Sequence, residues 1–324
     1  MAAAASQPDL KFQALVRARY AGDPHAIAAL GARLVVGREA PYAPLDGAAL
    51  IEEAARQGDG AAWRHMAVLA AAGVGRTQSW SDALGALAQA CDLGDPHARA
   101  QSDLVRTLCV TDAKSVHAWL ATPSGRELCA SPHMAAYPGF LTPAVCAHLV
   151  ARAAPRLVPA QVNDVRGGGL KLDPMRTNTG AVFSLLDSDL VVELVRARIA
   201  HTAKVSPAAL EPAEILHYSV GERYKTHVDF FHPALPTFAE EMRVKGQRVK
   251  TCLVYLNGDF GDGETEFPKL GIKFRGEVGE ALFFDNVGPA GTGDMKTLHQ
   301  GLPPSRGEKW LFSQWIRSKP QQPA

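Results

Sequence analysis

Three Gly-Asp pairs, beginning at positions 22, 58 and 94, lie 36 residues apart in the first third of the chain. Each interrupts an Ala-rich stretch: Ala21-Gly22-Asp23-Pro24-His25-Ala26, Gln57-Gly58-Asp59-Gly60-Ala61-Ala62 and Leu93-Gly94-Asp95-Pro96-His97-Ala98. Leu30 and Met66 are in phase, as are Gly37 and Gly73, and Ala54-Ala55 and Ala90-Cys91. A fixed period in the mid-thirties, with small residues at helical spacing, is the pattern of helix pairs that bury their apolar faces only by stacking. Each break has a mechanism. Gly closes one helix in a left-handed conformation, and Asp caps the next by accepting from its free N–H groups. An all-α array is therefore expected over residues 1–105. His25, His65 and His97 form no ligand set, because His25 and His97 lie two repeats apart. Residues 106–130 read as a decayed last repeat and a linker, with a closing helix at 116–120 broken by Thr122-Pro123-Ser124-Gly125.

The chain has 324 residues, enough for two domains. Lys and Arg number 34 against 33 Asp and Glu. With no basic excess, nothing points to nucleic acid or to an anionic membrane surface. The start shows no basic region followed by an apolar core, and no apolar run is long enough to span a bilayer. Cys91, Cys109, Cys129, Cys146 and Cys252 are odd in number, scattered and without CxxC spacing. Free thiols in a reducing cytoplasm are the expectation.

A second domain opens at Tyr137. Thr142-Pro143 is an N-cap and first-turn pair starting a helix to about residue 152. A glycine loop follows at 167–169, then Arg176-Thr177-Asn178-Thr179-Gly180. Residues 187–204 read as an amphipathic helix with Leu190, Leu194 and Ile199 on one side. Strands are expected at about 213–218, 226–230, 250–256, 263–267, 272–275, 280–284, 295–299 and 309–317. Eight short strands after two helices predict a double-sheet jelly roll with supporting helices. The fold class is thus α+β, a double-stranded β-helix preceded by an all-α repeat domain.

The chemistry concentrates at His227-Val228-Asp229. On a strand, residues i and i+2 share a face, so the imidazole and the carboxylate converge while Val228 turns away. His299 can complete a 2-His-1-carboxylate triad, which holds Fe(II) with positions left open. Lys309 follows ten residues later, and a fixed cation there suits a dicarboxylate co-substrate. His217 alternates with Tyr218 and faces away, and His232 lies in a Pro-containing loop. The cluster Asp259, Asp262 and Glu264 lacks calcium-loop spacing and reads as a turn.

These blocks, with TCLVYL at 251–256, GETEFP at 263–268 and GEALFF at 279–284, resemble the prolyl 4-hydroxylase type of 2-oxoglutarate/Fe(II) dioxygenases over about residues 131–320. The N-terminal third resembles Sel-one-like repeats, relatives of tetratricopeptide repeats. The first resemblance implies an enzyme using Fe(II), 2-oxoglutarate and O2, with ascorbate as candidate reductant. It implies metal ligands at His227, Asp229 and His299. Lys309 would grip the far carboxylate of 2-oxoglutarate, with Tyr218 and Thr251 as hydroxyl partners. Arg176, Tyr224 and Trp310 are candidate substrate contacts, and residues 230–247 a candidate lid. Since related halogenases lack the carboxylate, Asp229 implies hydroxylation. The implied product pair is hydroxylated substrate with succinate and CO2, and the implied substrate is a prolyl residue of a peptide or protein. The chain departs from the family after His299, where Gln300-Gly301-Leu302-Pro303 stands. A free amino acid or another small molecule stays open as substrate, as does a low-turnover oxygen-sensing or interaction scaffold. The repeats are expected either to recruit a protein substrate or to brace the neighbouring domain.

Overall fold

The structure is a computed structural model that describes residues 10–163 and 169–323. Its contacts divide it into two units. The first comprises residues up to 121 with 184–198 and the residues from 322 on; the second comprises 122–183 and 199–321. This division departs from the sequence expectation. The helical unit extends to 121 rather than 105, and it takes in most of a helix expected within the second domain.

The first unit is built on α1 (Leu10–Tyr20), α2 (Pro24–Val36), α3 (Pro44–Arg56), α4 (Gly60–Ala72), α5 (Trp80–Asp92), α6 (Pro96–Thr107) and α7 (Ala113–Leu120). Helices α2, α4 and α6 start immediately after Asp23, Asp59 and Asp95. Those carboxylates accept from the backbone of Ala26, Ala62 and Ala98, at 3.4, 3.0 and 2.8 Å. Gly22, Gly58 and Gly94 precede them with φ of 76°, 94° and 79°, where a side chain would be strained. Gly37 and Gly73 close α2 and α4 in the left-handed region. At the equivalent place in the third repeat, Cys109 takes φ 55° without the freedom of glycine. The capping residues also reach the preceding repeat. His25 Nδ1 lies 2.9 Å from Asp59, and Arg64 Nε lies 2.9 Å from Asp95. Gly31 and Gly47 let α2 and α3 meet, since a Cβ on either would come within 2.6 Å of the other's carbonyl oxygen.

Removing Asp59 is expected to cost about 1–2 kcal/mol, because Asp59→Ala deletes a helix cap and an inter-repeat contact together. A urea midpoint equal to that of the unaltered protein would refute this role for Asp59.

The longer helix α9 (Leu190–Ala203) follows α8 (Pro143–Ala153) in the chain. Its start lies in the first unit. Asp189 accepts from the N–H of Val192 at 2.9 Å, and Gln101 Oε1 accepts from the N–H of Leu190 at 3.0 Å. Arg198 stacks on Trp119 and donates to the carbonyl of Ala121.

The second unit holds two facing antiparallel sheets. The larger runs Arg126–Ala130, His133–Tyr137, Ala281–Asp285, Arg248–Tyr255, Lys309–Arg317, Ala213–Tyr218, Thr179–Phe183, Val158–Pro159. The smaller runs Ile272–Phe274, Thr265–Phe267, His299–Gly301, Tyr224–His227. Both contribute to one buried cluster, with Phe267 and Phe274 from the small sheet and Leu216, Leu253, Tyr255, Leu282, Phe284 and Leu311 from the large one. This is a jelly roll. The first strand of the large sheet, Arg126–Ala130, occupies residues expected to be linker, and the second, His133–Tyr137, lies where no strand was expected. The stretch expected as a strand at 295–299 is a 3-10 turn, Met295–Thr297, followed by His299–Gly301. The stretch at 230–247 contains α10 (Ala239–Lys245). Most of the glycine loop expected at 167–169 lies outside the described residues. Among the described residues, no helix is long and apolar enough to cross a membrane.

Candidate active site

Strand pairing brings the two histidines together. His227 ends one strand of the small sheet and stands directly opposite His299 on the next, with ring centroids 4.3 Å apart. The strand carrying His227 ends there, earlier than expected, and the bend after it delivers Asp229. Asp229 Oδ1 lies 3.7 Å from His227 Nε2, and Oδ2 lies 3.8 Å from His299 Nε2. One donor atom from each of the three residues falls within 4.8 Å of the others. Among the described residues, no other group of three or more His, Cys, Asp or Glu is arranged to hold a metal ion.

The tautomers are set from behind. His227 Nδ1 lies 2.8 Å from the carbonyl oxygen of Lys225, and His299 Nδ1 lies 2.9 Å from that of Thr297. Each Nδ1–H donates to a carbonyl two residues upstream, which leaves each Nε2 lone pair facing the shared point. Burial, with the neighbouring His299, holds the His227 imidazole neutral with its pKa down to about 3. Burial alone would raise the Asp229 carboxyl. The two imidazoles and the Thr251 hydroxyl outweigh it and hold Asp229 below the usual carboxylate range. Two imidazoles and one carboxylate suit a divalent first-row ion, and would hold it without filling its coordination sphere.

Lys309 opens the long strand Lys309–Arg317 and is fully buried. Its ammonium has no hydrogen-bond partner among the described residues. The rings of Tyr218 and Tyr255 lie 5.1 and 5.5 Å from Nζ. Burial pushes its pKa down to about 7, offset only partly by Glu264. Lys309 lines the same cavity as His227, Asp229 and His299, together with Tyr218, Tyr224, Arg176, Thr265, Ser313 and Trp315. A buried cation without a partner is costly, and a bound carboxylate would relieve that cost. These residues therefore fit both a metal ion and a dicarboxylate.

Four of the residues singled out in the sequence do not behave as expected. Thr251 Oγ1 donates to Asp229 Oδ2 at 2.6 Å, so its hydroxyl serves the carboxylate rather than a co-substrate. Tyr218 does line the cavity with Lys309, and so do Thr265 and Ser313, hydroxyl residues that sequence reading missed. Arg176 points its guanidinium at Asn178, the Gln161 carbonyl and Glu214, at 3.2, 3.0 and 3.0 Å, and is a structural ion pair. Trp310 packs against His217 with the rings tilted by 45° and donates to Glu308, away from the cavity that Lys309 lines. Tyr224 does line the cavity, but stacked on His227 with centroids 3.5 Å apart, so it packs the ligand. Trp315, with its buried indole N–H unpartnered, is the aromatic of that strand that lines the cavity. Strand parity could have found it, since Lys309, Leu311, Ser313 and Trp315 share one face. His217 lies on the opposite face, bonded to Thr179, and His232 is exposed.

A jelly roll carrying two histidines, a carboxylate and a buried lysine in one cavity is the arrangement of a 2OG-Fe(II) oxygenase. Residues 213–317 match the 2OG-Fe(II) oxygenase superfamily. Prolyl 4-hydroxylase 5 of Arabidopsis thaliana is 32% identical over 57% of this chain and 68% of its own length. Prolyl 4-hydroxylase 1 of the same plant is 33% identical over 58% and 70%. Among solved structures, a viral collagen prolyl hydroxylase from Paramecium Bursaria Chlorella virus-1 is 24% identical, covering 59% of this chain and 99% of that one, with a TM-score of 0.45. The chain belongs to the prolyl 4-hydroxylase family of 2OG-Fe(II) oxygenases. It is accordingly an enzyme that depends on Fe(II), 2-oxoglutarate and O2.

Proposed function

We propose that this enzyme hydroxylates prolyl residues of a peptide or protein, with His227, Asp229 and His299 as iron ligands and Lys309 as the anchor for the far carboxylate of 2-oxoglutarate. The single observation that carries the reading is the buried, unpartnered Lys309 ammonium in the same cavity as the triad. Iron with 2-oxoglutarate supplies the oxidising chemistry, in which the keto acid is decarboxylated to succinate and one oxygen atom enters the substrate. The chain's part is positional. Two imidazoles, each with Nδ1 bonded to a backbone carbonyl, and one hydrogen-bonded carboxylate would hold the ion. Lys309 fixes the co-substrate from the opposite end, and the apolar walls of Leu216, Leu253 and Leu311 exclude water. Trp315 adds an aromatic residue to the cavity lining. The prolyl 4-hydroxylase relatives support the choice of substrate.

The helical repeats are proposed to recruit the protein that carries the target proline. Support comes from Tyr20, Tyr42 and Leu45, which are 87%, 46% and 72% exposed on that unit. The five cysteines are all free, Cys109 exposed among them, which suits action in a reducing cytoplasm.

The test is succinate release with proline-containing peptides, coupled to mass spectrometry for a gain of one oxygen on proline. The expected outcome is peptide-stimulated succinate release with oxygen on proline. Stimulation by a free amino acid instead would move the substrate to small molecules, and no stimulation by any substrate would favour a scaffold. Tyr42→Ser with Leu45→Ser is expected to slow modification of a protein target while leaving a short peptide unaffected. Equal rates on both would assign the repeats to bracing.

A further inference from the structure

We infer that Asn286 and Thr251 form a directional hydrogen-bond relay that sets the rotation of the Asp229 carboxylate for metal binding. Asn286 is fully buried, one residue past the end of the strand Ala281–Asp285. Its Nδ2 donates to Thr251 Oγ1 at 2.9 Å, and Thr251 Oγ1 donates to Asp229 Oδ2 at 2.6 Å. The strands fix the first contact, because Thr251 on Arg248–Tyr255 stands opposite Phe284 on the adjoining strand. The N–H of Asn286 is in turn held by the carbonyl of Val249 at 2.9 Å.

The direction of the relay follows from proton counting. A hydroxyl carries one proton. Thr251 Oγ1 directs it to Asp229 Oδ2 across the 2.6 Å contact. Thr251 must then accept from its other neighbour, and only the amide nitrogen of Asn286 can donate. The amide is thereby fixed the costly way round, with its Oδ1 buried and unpartnered. A purely structural asparagine would be expected to satisfy that oxygen. Here the amide group faces the carboxylate's support instead. The consequence is a carboxylate held in one rotation, with Oδ2 engaged by Thr251 and 3.8 Å from His299 Nε2, and Oδ1 3.7 Å from His227 Nε2. Thr251 and Asn286 are positioning residues; neither touches the cavity.

The inference rests on the reading of the triad as the metal site, and the test separates the two. Co(II), a spectroscopic stand-in for Fe(II), is titrated into the metal-free protein, and its visible absorption gives the dissociation constant. His299→Ala is expected to lose the Co(II) spectrum; if it binds like the unaltered protein, the triad reading fails. If it loses Co(II), Thr251 is tested. Thr251→Ala is expected to weaken Co(II) about 10- to 100-fold, the usual effect of removing an outer-shell partner, and Thr251→Ser to restore it. Equal affinities for the Ala and Ser variants would overturn the relay, whatever their thermal midpoints. Asn286→Ala should weaken Co(II) less than Thr251→Ala, and the double variant should bind no worse than Thr251→Ala alone. Losses that instead add would show that Asn286 acts on its own, and would also overturn it.

Discussion

Lys309→Ala is expected to weaken 2-oxoglutarate by about 30- to several-thousand-fold. The ammonium is fully buried and lacks a protein partner among the described residues, so the co-substrate's far carboxylate is its natural counter-ion. Removing one member of a buried charge pair costs roughly 2–5 kcal/mol, much of it from stranding the other. At about 1.4 kcal/mol per decade, that gives the stated range. Lys309→Arg keeps the charge in a larger, forked group and should be milder. Metal affinity should barely change in either variant, and saturating 2-oxoglutarate should recover part of the Lys309→Ala rate. The same group gives a pH dependence with a fixed sign. In the unliganded protein burial brings Lys309 down to about 7. A bound carboxylate favours the protonated form and raises that value. Affinity should therefore be greatest below pH 7 and fall as pH rises through 7, by up to about tenfold per unit. A 2-oxoglutarate constant unchanged by Lys309→Ala, or one that tightens with pH, would remove the anchor assignment.

Loss of any one ligand should be still more severe. In the anaerobic protein, Fe(II) with 2-oxoglutarate is expected to give a weak visible charge-transfer band. His227→Ala, Asp229→Ala and His299→Ala should each abolish it and the associated turnover. The donor atoms sit within 4.8 Å of one another, and no other such cluster among the described residues can substitute. Extra 2-oxoglutarate should not rescue these variants, which sets them apart from Lys309→Ala. Iron-dependent turnover surviving in the triple variant would show the ligand assignment to be wrong.

The sequence announces some of this architecture more clearly than the rest, for physical reasons. The helix starts at Pro24, Gly60 and Pro96 are legible because a left-handed Gly and a capping Asp leave a local signature. The convergence of His227, Asp229 and His299 is legible because strand alternation and motif order agree. The large sheet's first two strands are not, since Arg126–Ala130 shows little apolar alternation and its residues are mostly exposed or half-buried. Thr251 illustrates a deeper limit. Its place near the site is readable, but whether its hydroxyl serves the co-substrate or Asp229 depends on Asn286, 35 positions away and brought close only by strand pairing. Arg176 is similar, because its partner Glu214 lies across the sheet. Trp310 is set aside and Trp315 brought forward by the parity of a single strand, which is fixed once Lys309 points inward.

The dual engagement of the capping aspartates has a consequence for how the array melts. Asp59 begins one helix while holding His25 of the repeat before it, and Asp95 does the same with Arg64. In a linear array, each module's own stability and its coupling to the next are separate quantities, and their ratio decides whether ends fray or the whole stack goes at once. Placing both on one carboxylate links them. A module that loses its helix start also loses its hold on the preceding neighbour, so partial unfolding propagates across the boundary, and the stack should come apart in few, cooperative steps rather than one repeat at a time.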